Sequence, residues 1–228
     1  MQTGCYLCLM VIYAIPGLGT NEKLYVNTKI KGVEIIVLDW PTPLKNDTMQ
    51  SYARKFLPQI NTAEPFCLLG VSFGGMICTE LSKIISPYKT FLISTCKSRN
   101  ELPWFIKALK HFPLHKIVSE KQHRKMAYQG RWIIGFGKAY IPEFLGMVNS
   151  MTKNYFKHCI HIIATWDRRE EPKNVIHIHG TNDKLLWHRY VKSNYSIQQG
   201  SHAMIVFRAE EINKIIEGEI YCPADFAD

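Results

Sequence analysis

An α/β fold, with a mostly parallel central sheet and helices on both of its faces, is predicted by three features of the sequence. Short apolar runs recur along the chain: Val11 to Ile15, Val33 to Leu38, Phe66 to Leu69, Phe91 to Ser94, Val175 to His179 and Tyr195 to Ile197. Between several of them the apolar residues recur at helical spacing, as Ile77, Leu81, Ile84 and Ile85 do over Met76 to Ile85. Strands separated by helical stretches imply a parallel sheet sandwiched between helices. Finally, Gly70-Val71-Ser72-Phe73-Gly74-Gly75 joins one strand directly to the helix after it.

Taken in order, Val11 to Ile15 is a strand that ends in the loop Pro16-Gly17-Leu18-Gly19-Thr20. That loop lacks the G-x-x-x-x-G-K-[ST] and G-x-G-x-x-G patterns of phosphate cradles, which disfavours a nucleotide site. Val33 to Leu38 is a nearly continuous aliphatic run, the pattern of a strand covered on both faces, and Asp39-Trp40-Pro41 breaks it. Thr48 to Leu57 reads as a helix capped near Asp47, and Phe66 to Leu69 leads into the Ser72 turn. From about Arg99 to Trp166 the rhythm changes. This stretch is basic and aromatic, is interrupted by Pro103, Pro113 and Pro142, and offers no buried strand before Ile160 to Ile163. It reads as a mainly helical cap, residues 99–166, inserted into a core made of residues 1–98 and 167–228. A helix from about Arg208 to Glu217, with Ile212, Ile215 and Ile216 as its buried stripe, closes the chain.

Bulk composition narrows the class. At 228 residues, 46% apolar and 21% charged, the chain is long enough for one sizeable core and has the balance of a globular protein. No run approaches the roughly 18 apolar residues of a membrane span. Met1 to Met10 carries no basic n-region and no small-residue cleavage site, so it reads as a strand or extension and not as a signal peptide. Seven cysteines without a framework spacing point to free thiols and a reducing, cytoplasmic setting. Cys5-Tyr-Leu-Cys8 has no second C-x-x-C, and Cys67, Cys78, Cys96 and Cys159 read as core fillers. The net charge of +9 comes with no arginine-rich arm and no helix-turn-helix or RNP-like pattern, which argues against nucleic acid. Much of it gathers between Lys107 and Lys138, as a solvated basic face or as a dock for an acidic partner.

Three polar residues directly follow the carboxyl ends of strands: Ser72, Asp183 in Gly180-Thr181-Asn182-Asp183, and His202 in Gly200-Ser201-His202. In an open α/β sheet that edge is where sites form, so residues far apart in sequence converge there. A serine at the tip of a strand-to-helix turn needs glycines beside it, because the crowded backbone leaves no room for Cβ atoms. The chemistry assigns the roles: His202 takes the Ser72 proton, Asp183 fixes the imidazole tautomer, and the Leu18 and Phe73 N–H groups form an oxyanion hole. Each residue also has a plainer reading, Asp183 as a turn aspartate and His202 as a loop histidine. His158, His161, His177 and His179 lack acidic or cysteine partners at zinc-like spacing, so neither a metal nor another cofactor is expected. Trp40, Trp104, Phe105 and Met204 flank the predicted site and are candidates for substrate contact, or equally for plain core.

With Pro16-Gly17-Leu18-Gly19, Gly70 to Gly74, Gly180 to Asp183 and Gly200 to His202 in the order serine, acid, histidine, the chain resembles the α/β-hydrolase superfamily over most of its length. The likeness implies the α/β-hydrolase fold, with Arg99 to Trp166 at the position of the family's cap. Pro16 stands where the oxyanion loop usually has histidine, and Asp39-Trp40-Pro41 lacks the D-x-R-G-x-G-x-S stretch. The chain resembles small capped carboxylesterases, such as the pimeloyl-carrier methyl esterases, more closely than the epoxide-hydrolase and haloalkane-dehalogenase branches, whose nucleophile is aspartate. That likeness implies a serine esterase acting on a small-molecule ester or thioester of an apolar acyl group, with the basic cap as a dock for an acidic acyl carrier protein. A ligand-binding protein with an idle triad, and a lyase or C–C hydrolase using the same three residues, are the alternatives.

Overall fold

The six apolar runs are the strands of a single sheet in the computed structural model, which describes residues 10–221. They are β1 (Met10–Ile15), β2 (Val33–Val37), β3 (Phe66–Val71), β4 (Thr90–Ile93), β5 (Val175–Gly180) and β6 (Tyr195–Ile197), in spatial order β2-β1-β3-β4-β5-β6. Every neighbouring pair is parallel. The Cys5–Cys8 pair and Met1 to Leu9 lie outside the described residues.

Nine helices complete the described chain: α1 (Met49–Arg54), α2 (Phe73–Leu81), α3 (Trp104–Ala108), α4 (Glu120–Gln129), α5 (Arg131–Ile134), α6 (Ile141–Ser150), α7 (Tyr155–Thr165), α8 (Met204–Phe207) and α9 (Ala209–Ile220). The step from β1 to β2 runs one way along the sheet, and the later steps run the other way. Right-handed crossovers therefore place their connections on opposite faces. Accordingly α1 and α2 pack against each other, while α8 packs on the 3-10 turn Glu22–Tyr25 between β1 and β2. At its C-terminal end α9 ties together three strand entrances: Lys31 N–H donates to Glu217 at 2.9 Å, Lys89 Nζ to the Glu219 carbonyl at 2.6 Å, and Tyr195 OH to the Glu219 carboxylate at 2.6 Å.

The core sits along β1, β3 and β4, whose central residues are fully enclosed. β3 is buried at all six positions because it lies mid-sheet with α2 against it. Two expectations are corrected. Val33 to Leu38 is not covered on both faces: β2 is the edge strand, its exposure alternates, and Ile36 is 36% exposed. Ile160 to Ile163 is not a strand but part of α7, which buries Tyr155, Phe156, Cys159 and Ile162 at helical spacing. Smaller shifts occur at helix ends. α1 is capped by Thr48 with Ser51 in a reciprocal capping box, and α2 stops at Leu81, before Ile84 and Ile85. Between β4 and β5 the described chain contains only helices and turns.

Candidate active site

Ser72 stands where β3 ends and α2 begins, with φ 53° and ψ −118°, a sparsely populated conformation that costs about 1–3 kcal/mol and persists only where the surroundings enforce it. Here they do. A Cβ on Gly74 would lie 2.1 Å from the Ile15 carbonyl oxygen, and one on Gly70 2.5 Å from Gly75 Cα. One on Gly75 would lie 2.6 Å from the Thr95 side chain. The glycines thus let the ends of β1, β3 and the turn after β4 close around the serine. Ser72 N–H donates to the Ile93 carbonyl at 2.9 Å, and Thr95 Oγ1 donates to the Ser72 carbonyl at 2.5 Å.

The loops after β5 and β6 meet backbone to backbone. A Cβ on Gly180 would fall 2.1 Å from the Gly200 carbonyl oxygen, and Asn182 N–H donates to that oxygen at 3.0 Å. This contact sets Asp183 against His202. Asp183 Oδ2 lies 2.7 Å from His202 Nδ1, and His202 Nε2 lies 2.9 Å from Ser72 Oγ. Asp183 Oδ1 accepts from the N–H groups of Leu185 and Leu186 at 2.9 and 2.8 Å. Burial raises the Asp183 carboxyl, but the His202 charge and hydrogen bond, with lesser help from His179 and Leu186, hold it below the ordinary carboxylate range. An ionised carboxylate only accepts, so His202 Nδ1 carries a proton, and in the neutral form of the ring the Nε2 lone pair faces the Ser72 hydroxyl. The arrangement can draw a proton from Ser72 as its oxygen attacks.

One neighbour of this line was not evident in the sequence. His179 Nε2 donates to the Leu186 carbonyl at 2.7 Å and stands 3.4 Å from Asp183 Oδ2. Burial lowers its pKa, against the pull of Asp183, and the carbonyl acceptor requires a proton on Nε2.

The loop after β1 forms the other side. Gly17 packs against Ser72, a Cβ built on it lying 3.5 Å from the Ser72 Cβ. The Phe73 N–H is the first of α2, and neither it nor the Leu18 N–H has a partner among the described residues. Gly17, Leu18, Ser72 and Phe73 line one cavity of about 420 Å³ together with His202. β1 and β3 are the strands between which the direction of winding reverses, the place where open α/β sheets hold ligands.

The rest of the cavity wall comes from the helices between β4 and β5. Phe156, Ile160 and Ile163 supply a stripe from α7, and His123, Met126 and Ala127 one from α4. Of the four residues expected to touch substrate, Phe105 lines the cavity. Trp40 does not: it lies behind the wall, stacked on Phe73 with ring centroids 5.5 Å apart and its indole N–H bound to the Thr20 carbonyl at 2.7 Å. Trp104 is 67% exposed, and Met204 is fully buried beside Gly200. His123 is the one titratable wall residue apart from Ser72 and His202; neither ring nitrogen has a partner among the described residues, and burial lowers its pKa. The wall stripes were legible in principle, since positions i, i+4 and i+7 of a helix share a face, but only once Ile160 to Ile163 is read as helix.

No protein-family model and no curated protein matches the chain. Solved structures do. An esterase from Exiguobacterium antarcticum superposes with a TM-score of 0.66 at 16% identity, covering 92% of this chain and 91% of that one. A thermophilic esterase from Thermogutta terrifontis gives 0.68 at 13% identity over 92% and 89%. The enol-lactonase of Burkholderia xenovorans LB400 gives 0.70 at 15% identity over 91% and 89%. The chain therefore has the α/β-hydrolase fold, as the order of its motifs implied.

Proposed function

We propose that the protein is a serine hydrolase that cleaves carboxylic esters, or thioesters, of an apolar acyl group. The observation that carries this reading is the unbroken line from Asp183 through His202 to Ser72, opening into a largely apolar cavity of about 420 Å³. That volume falls in the range of about 300–1,000 Å³ usual for small-molecule sites. The esterases and the lactonase with the same fold support it.

In this mechanism Ser72 Oγ attacks the acyl carbonyl while its proton passes to His202 Nε2. The Leu18 and Phe73 N–H groups receive the oxyanion, the Phe73 donor aided by the positive end of α2. His202 then protonates the leaving alcohol or thiol, and a second cycle with water frees the acid and Ser72. Residues 99–166 act as a cap that walls the acyl site over a core of residues 1–98 and 167–228.

The test is turnover of p-nitrophenyl esters of increasing chain length by wild type and Ser72→Ala. Wild type is expected to turn over, with rates falling once the acyl chain outgrows the cavity, and the variant to lose about six orders of magnitude. Equal rates in both would remove Ser72 from the chemistry. Binding of the acids with no turnover would identify a ligand-binding protein on this fold.

A further inference from the structure

The helices between β4 and β5 present a surface that ester hydrolysis does not explain. Residues 102–142 hold eight Lys or Arg and one Glu, a net +7 of the chain's +9. That single carboxylate is engaged by Arg124 at 3.1 Å. Lys110, Lys116, Lys121 and Lys125 are exposed, and none pairs with a carboxylate among the described residues.

Apolar side chains stand among these lysines. Trp104, Phe112, Leu114, Ile117, Trp132 and Ile133 are all at least half exposed, Phe112 at 70% and Ile117 at 82%. With Met126 they are seven of the fourteen exposed large apolar residues of the described chain, drawn from a stretch of thirty positions. Scattered single residues of this kind are ordinary, but a concentration marks a surface that meets something apolar. α3, the turn Leu114–Lys116 and α4 all pack on α7, so their exposed side chains turn away from it and share the outer layer.

We infer that this face docks on an anionic lipid surface. Large apolar side chains ringed by lysines are the composition of an interfacial element, whose rings enter the acyl boundary while the ammonium groups meet headgroup charge. Charge alone fits an acidic carrier protein equally well. Two observations favour the bilayer. Lysine is depleted at protein interfaces, which need shape complementarity, whereas these apolar residues are spread over four short stretches: α3, the Leu114–Lys116 turn with its flanks, α4 and α5. The cavity also reaches the patch: Met126 lines it and is 58% exposed, and Phe105, another wall residue, contacts the exposed Trp104. Given the proposed function, an ester leaving the bilayer would pass this mouth on the way to Ser72.

The test is flotation of the full chain, as Ser72→Ala so that turnover cannot alter the lipid, with vesicles of phosphatidylcholine or of equal parts phosphatidylcholine and phosphatidylserine. Binding is expected to the anionic vesicles only and to weaken with salt. Lys116→Glu, Lys121→Glu and Lys125→Glu together should lower partitioning about 100-fold, at roughly fivefold per lysine. Phe112→Ser with Ile117→Ser should also abolish flotation, and both variants should keep wild-type melting temperatures. In the Ser72 background, neither set touches the hydrolytic line. Indifference to phosphatidylserine overturns the inference, as does salt-sensitive capture by an acidic acyl carrier protein without vesicle binding. Flotation on anionic vesicles by a wild type that hydrolyses no ester would sink the proposed function and leave the docking surface standing.

Discussion

Asp183→Asn is nearly isosteric, so its effect separates charge and hydrogen-bond direction from packing. Asp183 Oδ1 accepts two main-chain N–H groups, from Leu185 and Leu186. In the variant the amide oxygen must take that position, because an NH₂ there would face two donors. The NH₂ is then held where Oδ2 was, 2.7 Å from His202 Nδ1. It donates to Nδ1, which drives the ring proton onto Nε2, the nitrogen 2.9 Å from Ser72 Oγ. The base then presents a proton where it needs a lone pair. The expected loss in turnover is about four orders of magnitude, the size known for such a tautomer trap, or roughly 5.5 kcal/mol of transition-state stabilisation. His179 cannot rescue it, since its Nε2 proton is committed to the Leu186 carbonyl. The assay is steady-state hydrolysis of a p-nitrophenyl ester, with thermal melting to show that both Oδ1 contacts still hold the loop. A folded Asp183→Asn protein within about tenfold of wild type would refute the assigned hydrogen-bond directions.

Other substitutions probe the surroundings. Gly74→Ala places its Cβ 2.1 Å from the Ile15 oxygen and 2.3 Å from the Pro16 oxygen, so a loss of about 3 kcal/mol or more is expected in denaturant unfolding. Gly146→Ala, with nothing within 4 Å in α6, should instead stabilise by about 0.5–1 kcal/mol. His123→Leu removes a buried ring without partners among the described residues from the cavity wall; stability should rise by about 1 kcal/mol and KM for long-chain esters should fall, as read by melting and by kinetics. Burial raises the Asp47 carboxyl, but Lys55 at 2.6 Å, the Leu44 N–H and Ser51 hold it below its unfolded value of 3.8. Its contribution to stability is therefore whole above pH 3.8 and is lost as pH falls through the lower native value. Asp47→Asn should flatten that acid limb in pH-dependent unfolding.

The strands and the three polar loops were legible because each rests on a local rule. Apolar runs must bury, and a serine between glycines at a strand-to-helix junction has few other conformations. Asp183 and His202 are paired by the sequence pattern itself, since both follow strands that end at one edge. The cavity wall was hidden for a physical reason. Four residues such as Ile160 to Ile163 do not reveal their period, and read as a strand they conceal the stripe that α7 turns toward Ser72. Proximity in sequence also misplaced Trp40, whose ring supports Phe73 from behind, and Met204, which fills space beside Gly200. The edge position of β2 followed from strand order, which no single run encodes.

The central claim is that Ser72 is an activated nucleophile. It is tested most directly by exposing wild type, Ser72→Ala and His202→Ala to a fluorophosphonate and measuring intact mass, with the adduct located by peptide mapping. One adduct on wild-type Ser72, none on Ser72→Ala, and labelling slowed by orders of magnitude in His202→Ala is the expected result. A folded wild type that takes no adduct, or takes it at another residue, would contradict it.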